Sequence, residues 1–319
     1  MDASAIADRR RLRRKLAFWR IGAALLLVAA GFLLFRIAAP DAASNRGVPH
    51  IARIEVSGLI QDNQELLDRL KQIAEDGRAK ALVVSISSPG GTTYGGERIF
   101  KAIRAVAEKK PVVSDIRTLA ASAGYMIASA GDSIVAGESS ITGSIGVIFQ
   151  YPQAKDLLDK IGVSLEEIKS APLKAEPSPF HPASEEAKAM IRAMVMDSYD
   201  WFVDLVAERR KLPRGEVLRL ADGAIFTGRQ ALKEKLVDTL GGEEAIRAYL
   251  ASRDVDATLE IVTWEPARSG PPFGLPGALA VLLRMMGYEN LLPAADAGRN
   301  LSEKLFLDGL ISVWQVGND

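Results

Sequence analysis

Short β-branched apolar runs alternate along this chain with stretches of helical period. "HIARIEVSGLI", starting at His50, predicts a strand with a glycine turn, and "QELLDRLKQIAEDG" follows with helical spacing and a terminal glycine. "KALVVSISS" is apolar at successive positions, as buried parallel strands tend to be. That run is expected to break at Pro89-Gly90-Gly91 and give way to the helix "GGERIFKAIRAVAEKK". "PVVSDI", "SIVAG" and "GSIGVIF" predict further strands, with "ASAGYMIASAG" as a helix among them. Such alternation predicts an α/β fold with parallel strands and crossover helices.

The second half is more helical. "EEAKAMIRAMVMDSYDWFVDLVAERRK" predicts a long amphipathic helix, "GRQALKEKL" a shorter one and "ATLEIVTW" a late strand. Met190, Met194, Tyr199, Trp201 and Phe202 make the long helix either a contact surface or part of the protomer core. There is no internal duplication.

The N-terminal pattern differs. Ile21 to Phe35 is an uninterrupted apolar run, and Leu16 to Trp19 with Ile37 to Ala39 extend it to a spanning length. Arg20 and Arg36 can snorkel near its ends. The basic cluster "RRRLRRK" precedes it, so the positive-inside rule predicts a cytoplasmic N-terminus and an exported remainder. A cleaved signal peptide is the alternative, since Ala38 and Ala39 are small. The expected organisation is a basic tail over 1–15, an anchor over 16–39, a linker over 40–50, a folded domain over 51–265 and a helical, apolar extension over 266–319. Within that extension, "PPFGLPGALAVLLRMMGYENLLP" suits a helix resting on the membrane or on a partner.

Composition narrows the chemistry. The 319 residues are 48% hydrophobic and 25% charged, enough for a sizeable core. Lys and Arg total 40 against 40 Asp and Glu, so no basic field invites nucleic acid. The lack of cysteine excludes disulfides, a catalytic thiolate and thiolate metal sites. The two histidines, His50 and His181, argue against a multi-histidine metal site and leave a Ser-His-Asp triad two candidate bases.

An acyl-transfer site needs a nucleophile, a base and donors for an oxyanion. "SSPGG", Ser87 to Gly91, lies at the C-terminal end of a predicted strand, where open α/β sheets place their sites. Its glycines let backbone N–H groups approach a ligand. Ser122 opens a predicted helix whose first N–H groups lack intrahelical partners; a helix cap is the commonest reading of a serine there. For the base, His50 sits in the linker and His181 in the proline-rich "PSPFHP". Lys169 and Lys174, in "IKSAPLKAEPSPF", are the lysine candidates for a Ser-Lys dyad. Glu97 follows the glycine-rich turn, but a solvated helix face accounts for it.

Taken in order, "SSPGG", "AASAGY", "SSITGSIGVI", "IKSAPLKAEPSPF" and "AIFTGRQALKEKLVDTLGG" resemble the short form of bacterial signal peptide peptidase A, a membrane-anchored Ser-Lys protease family of S49 type. The resemblance covers Ile51 to Tyr249 and makes 51–265 an S49-type catalytic domain with a crotonase/Clp-protease-like fold. It implies Ser122 as nucleophile, Lys174 as general base, Ser144 as the group that holds the lysine, and the Gly91 and Ala123 amides as oxyanion hole. It implies no metal and no cofactor. Its substrates would be peptides, namely released signal peptides, met at the bilayer of the bacterial inner membrane with the catalytic domain on the periplasmic side. The family's long form fuses two copies of the catalytic domain that exchange serine and lysine. A single copy therefore implies a ring-like homo-oligomer in which neighbours complete each other's site. The sequence departs from the family pattern at Ser87, where Asn is common, at Ala123, Ala171 and Lys235, where Gly is usual, and at Ala175, where Asp is usual. The alternatives are another enzyme of the same fold, either a stomatin-associated protease or an acyl-CoA hydratase, and a non-catalytic membrane scaffold.

Overall fold

A computed structural model describes residues 15–16, 18–28, 31, 45–265 and, as backbone, 311–313. The chain divides into two units, 1–50 and 51–319. In the first, residues 18–28 are helical and Asn45–Gly47 forms a 3-10 turn. Among the described residues no helix is long and apolar enough to cross a membrane. Much of the expected anchor (17, 29, 30 and 32–39) lies outside the described residues, as does all of the expected extension except 311–313.

The second unit is built on one sheet. In chain order its elements are β1 (His50–Ile60), α1 (Gln64–Glu75), β2 (Ala79–Thr92), α2 (Thr93–Ala107), β3 (Val112–Ala121), α3 (Ala123–Ala128), β4 (Ser133–Ala136) and β5 (Ile141–Gly143). There follow α4 (Lys155–Ile161), α5 (Glu185–Arg210), α6 (Arg214–Leu220), β6 (Ile225–Thr227), α7 (Gly228–Lys233), β7 (Thr239–Leu240), α8 (Glu243–Ala251), β8 (Ile261–Thr263) and β9 (Ile311–Val313). The main strand path runs β6-β5-β3-β2-β1-β8. Pairings β1–β8, β2–β3, β3–β4, β3–β5 and β4–β7 are parallel, whereas β5–β6 and β2–β9 are antiparallel. The α/β class with parallel strands is therefore as expected.

The apolar runs are explained by cover on both faces. From β2, Leu82, Val84 and Ile86 enter the larger core with α1, α2, α3 and α5, while Ala81 and Val83 pack with Ile246 and Leu250 of α8. Strand β3 changes partner along its length: Val113 to Ile116 pairs with β4, and Leu119 to Ala121 with β5. That split leaves its C-terminal end, next to Ser122, between β2 and β5.

Two expectations fail locally. β2 does not break at Pro89-Gly90-Gly91, because Gly90 to Thr92 continue in an antiparallel ladder with Ile311 to Val313, a partner remote in sequence. The strand expected in "GSIGVIF" does not form: β5 is Ile141–Gly143, and successive left-handed residues, Gly143 (φ 91) and Ser144 (φ 50), turn the chain at its end.

Candidate active site

Ser122 stands between β3 and α3. Its φ of 57° and ψ of −118° are sparsely populated for a residue with a Cβ and cost about 1–3 kcal/mol. The serine is not a conventional cap, since its side chain makes no cap hydrogen bond. Burial holds the strained turn: every residue of α3 is buried and Ser122 itself is 1% exposed. The Ser122 amide donates to the Gly143 carbonyl at 2.8 Å, and the Ser144 amide to the Ala224 carbonyl at 2.7 Å. At Gly143 a Cβ would lie 2.6 Å from the Phe226 ring, so only glycine fits.

The far end of α3 is tied down by two arginines. Arg209 donates to the Ser129 and Gly131 carbonyls at 2.9 and 3.0 Å, and Arg104 to the Ala130 carbonyl at 2.9 Å. Asp132 accepts from Arg104 at 2.9 Å. These cations occupy the negative end of the short helix, where their charge is favourable. Desolvation lowers the Arg209 pKa from its ordinary value, with Arg104 adding to the effect. Tyr125, wholly buried, donates its hydroxyl to the Leu236 carbonyl at 2.8 Å.

Gly91 lies at the C-terminal end of β2, beside the end of β3 that delivers Ser122; the register pairs Ser88 with Ala120. A Cβ at Gly91 would sit 1.9 Å from the Ile60 carbonyl oxygen, and one at Gly124 would sit 2.9 Å from that of Ser88. The glycines thus bring β1, β2 and α3 into close backbone approach. Ala123, the first helical residue after Ser122, is fully buried.

Ser122 and Ser144 line a common cavity of about 470 Å³, together with Ile145, Ile148, Val195, Met196, Tyr199 and the Ala221–Gly223 turn. The wall is mostly apolar. Sequence reasoning missed the contribution of Val195, Met196 and Tyr199, because α5 reads equally well as core or contact helix. The Tyr199 hydroxyl fixes one rim by donating to the Ala221 carbonyl at 2.9 Å. No sequence signal marks the positive φ at Ser122 and Ser144, since serine has no special preference for it.

Lys174 does not line this cavity. It is exposed, in a turn where its amide donates to the Ala171 carbonyl at 3.1 Å. His50, the last residue of the first unit, is buried, with Nδ1 2.9 Å from the Val48 carbonyl oxygen, and is not among the cavity residues. Nor are Lys169 and His181, which sit together with Glu167 and Glu176. Among the described residues no cluster of three or more His, Cys, Asp or Glu could hold a metal ion.

The α/β sheet thus delivers a buried serine on a strained strand-to-helix turn, beside an apolar cavity that Ser144 also lines. Residues 104–257 match Peptidase family S49. The chain is 41% identical over 204 residues to a protein of Synechocystis sp. named as a protease, covering 63% of this chain and 73% of that one. It is 37% identical over 235 residues to a protein of Enterococcus faecium named as signal peptide peptidase SppA, covering 69% and 67%. A solved structure of a membrane-bound stomatin-specific protease aligns with a TM-score of 0.49 and 17% identity, over 69% of this chain and 99% of that one.

The chain belongs to peptidase family S49. It is a serine protease, which sets aside the hydratase and scaffold alternatives.

Proposed function

We propose that the protein is a membrane-anchored endopeptidase that cleaves released signal peptides with a Ser122–Lys174 dyad assembled between subunits. The observation that carries this reading is the separation within one chain: Ser122 opens on the apolar cavity with Ser144, while Lys174 stands exposed outside it. A lysine serves as base when desolvation favours its neutral form, and burial against a neighbour supplies that. Exposed Leu157, Ile161, Leu165, Ile168, Met194 and Met196 give a second copy an apolar surface to cover. A crotonase/Clp-like ring with heterologous contacts would use them.

In this mechanism Lys174 Nζ takes the proton of Ser122 Oγ as the oxygen attacks the peptide carbonyl carbon. The oxyanion receives hydrogen bonds from the Gly91 and Ala123 amides, and Lys174 returns the proton to the leaving amine. Water, deprotonated by the same lysine, then attacks the ester and frees Ser122. Ser144 holds Lys174. An N-terminal anchor, with its basic end in the cytoplasm and the catalytic domain beyond the inner membrane, keeps the site where apolar peptides are left after export.

The test mixes full-length subunits in detergent, assayed on a synthetic signal-type peptide. Ser122→Ala and Lys174→Ala proteins should each be inactive alone and recover part of the rate when co-assembled. No recovery from demonstrably mixed oligomers would end the shared-dyad reading. Labelling by a serine-reactive fluorophosphonate should vanish in Ser122→Ala.

A further inference from the structure

Residues 163–184, between α4 and α5, contain no helix or strand, and the stretch from Ser170 to Ala175 is exposed throughout. The least exposed side chains of this segment are polar. Lys169 Nζ lies 2.6 Å from Glu167 Oε2 and 2.6 Å from Glu176 Oε1, and the Glu176 side chain is only 6% exposed. The Ser178 amide donates to the second Glu176 oxygen at 3.3 Å, and the Ser178 hydroxyl to Glu167 Oε1 at 3.4 Å. His181 Nε2 borders the same cluster, 3.3 Å from Glu176 Oε1, 3.5 Å from Glu167 Oε2 and 3.4 Å from Lys169 Nζ. The cluster is anchored to the segment before α4: Gln153 donates to the Ser178 carbonyl at 3.1 Å and the Ala154 amide to the Pro179 carbonyl at 2.7 Å.

We propose that Lys169 and Glu176 form a positioning clamp that closes the Ser170–Ala175 turn and presents Lys174 in a fixed direction. The inference rests on the reading of Lys174 as general base. The two clamp residues flank the turn, so their contact joins its ends and leaves Lys174 within the closed loop. Buried apolar contacts cannot hold this turn: Leu173 is 41% exposed and Ala175 is at φ 62°. Two backbone bonds, from the Lys174 amide to the Ala171 carbonyl and from the Glu176 amide to the Leu173 carbonyl, shape the turn, and the charge-assisted hydrogen bonds at its ends add a stronger restraint on its geometry. Preorganisation matters most for a group that must meet its partner across a subunit boundary, where misplacement by about 1 Å can cost on the order of 100-fold in rate. The electrostatics agree: the hydrogen bond from Lys169 is the main reason both carboxyls fall below their ordinary pKa, and those to Glu167 and then Glu176 raise that of Lys169. His181, a candidate base on sequence grounds, becomes a flank of the clamp.

The test compares full-length Lys169→Met, Lys169→Arg, Glu176→Gln, the single charge reversals Lys169→Glu and Glu176→Lys, and the double reversal. Lys169→Met and Glu176→Gln should each lower kcat by about 10–100-fold with KM, the oligomer and the unfolding midpoint nearly unchanged. Lys169→Arg should retain most of the rate, and the double reversal should recover activity that each single reversal loses. Wild-type kcat in Lys169→Met, beside an inactive Lys174→Ala control, would overturn the clamp and leave the base assignment standing. An active Lys174→Ala would overturn both. A loss of rate that accompanies dissociation into single chains would assign the cluster to assembly and also overturn the clamp.

Discussion

The Ser122 amide donates to the Gly143 carbonyl at 2.8 Å, immediately before Ser144. One hydrogen bond therefore links the strained turn at the end of β3 to the left-handed turn at the end of β5. The two serines face one cavity because their backbones are joined in this way.

Strain at Ser122 separates its chemical from its structural role. Ser122→Ala and Ser122→Gly should both abolish peptidase activity. Glycine tolerates the φ of 57° that alanine does not, so Ser122→Gly should be the more stable variant by about 1–3 kcal/mol. Denaturant unfolding of the two proteins measures the difference, and a less stable glycine variant would contradict the strain.

Close backbone approach at Gly91 is equally testable. Gly91→Ala places a methyl 1.9 Å from the Ile60 carbonyl oxygen and should sharply lower the unfolding midpoint. Gly215→Ala, in α6 with nothing within 4 Å of the new methyl, should be neutral or stabilising by about 0.5–1 kcal/mol. Equal midpoints for the two variants would refute the packing argument.

Alkaline stability depends on Tyr125. Desolvation raises its phenol pKa above the ordinary value, whereas in the unfolded chain it ionises at about 10. Above that pH the folded state holds a proton that the unfolded state has lost, so stability falls as pH rises further. Tyr125→Phe should lose about 1–2 kcal/mol at neutral pH through the missing bond to Leu236, and should show a weaker alkaline decline. Thermal unfolding from pH 7 to pH 11 supplies both readings.

The Gly90–Thr92 edge carries a further expectation. Its antiparallel partner is Ile311–Val313, so ending the chain after residue 310 removes a ladder. Amide hydrogen exchange at Gly90 to Thr92 should accelerate, while that of Leu82 to Ile86, paired with β3 in the core, should hold. Unchanged exchange at all of these amides would mean that the added strand contributes no protection.

Much of the fold was legible in the chain. Runs such as "KALVVSISS" are apolar at every position because β2 is covered on both faces, and their alternation with helical periods dictated a parallel α/β sheet. The order of glycine- and serine-rich segments singled out Ser122, Ser144 and Gly91. Local reasoning erred at "GSIGVIF" and at Pro89-Gly90-Gly91 because a turn at Ser144 and a partner at Ile311–Val313 override local propensity.

The sequence by itself determined the sheet, the family and the small residues that permit close approach, since periodicity and glycine placement are local properties of the chain. Only the tertiary structure decided that Ser122 is strained, that it shares a cavity with Ser144, and that Lys169, Glu176 and His181 converge away from it. The reason is physical: a positive φ on serine and a cluster of opposite charges in an exposed loop have no periodic signature. Both arise from contacts between elements that the chain brings together only on folding.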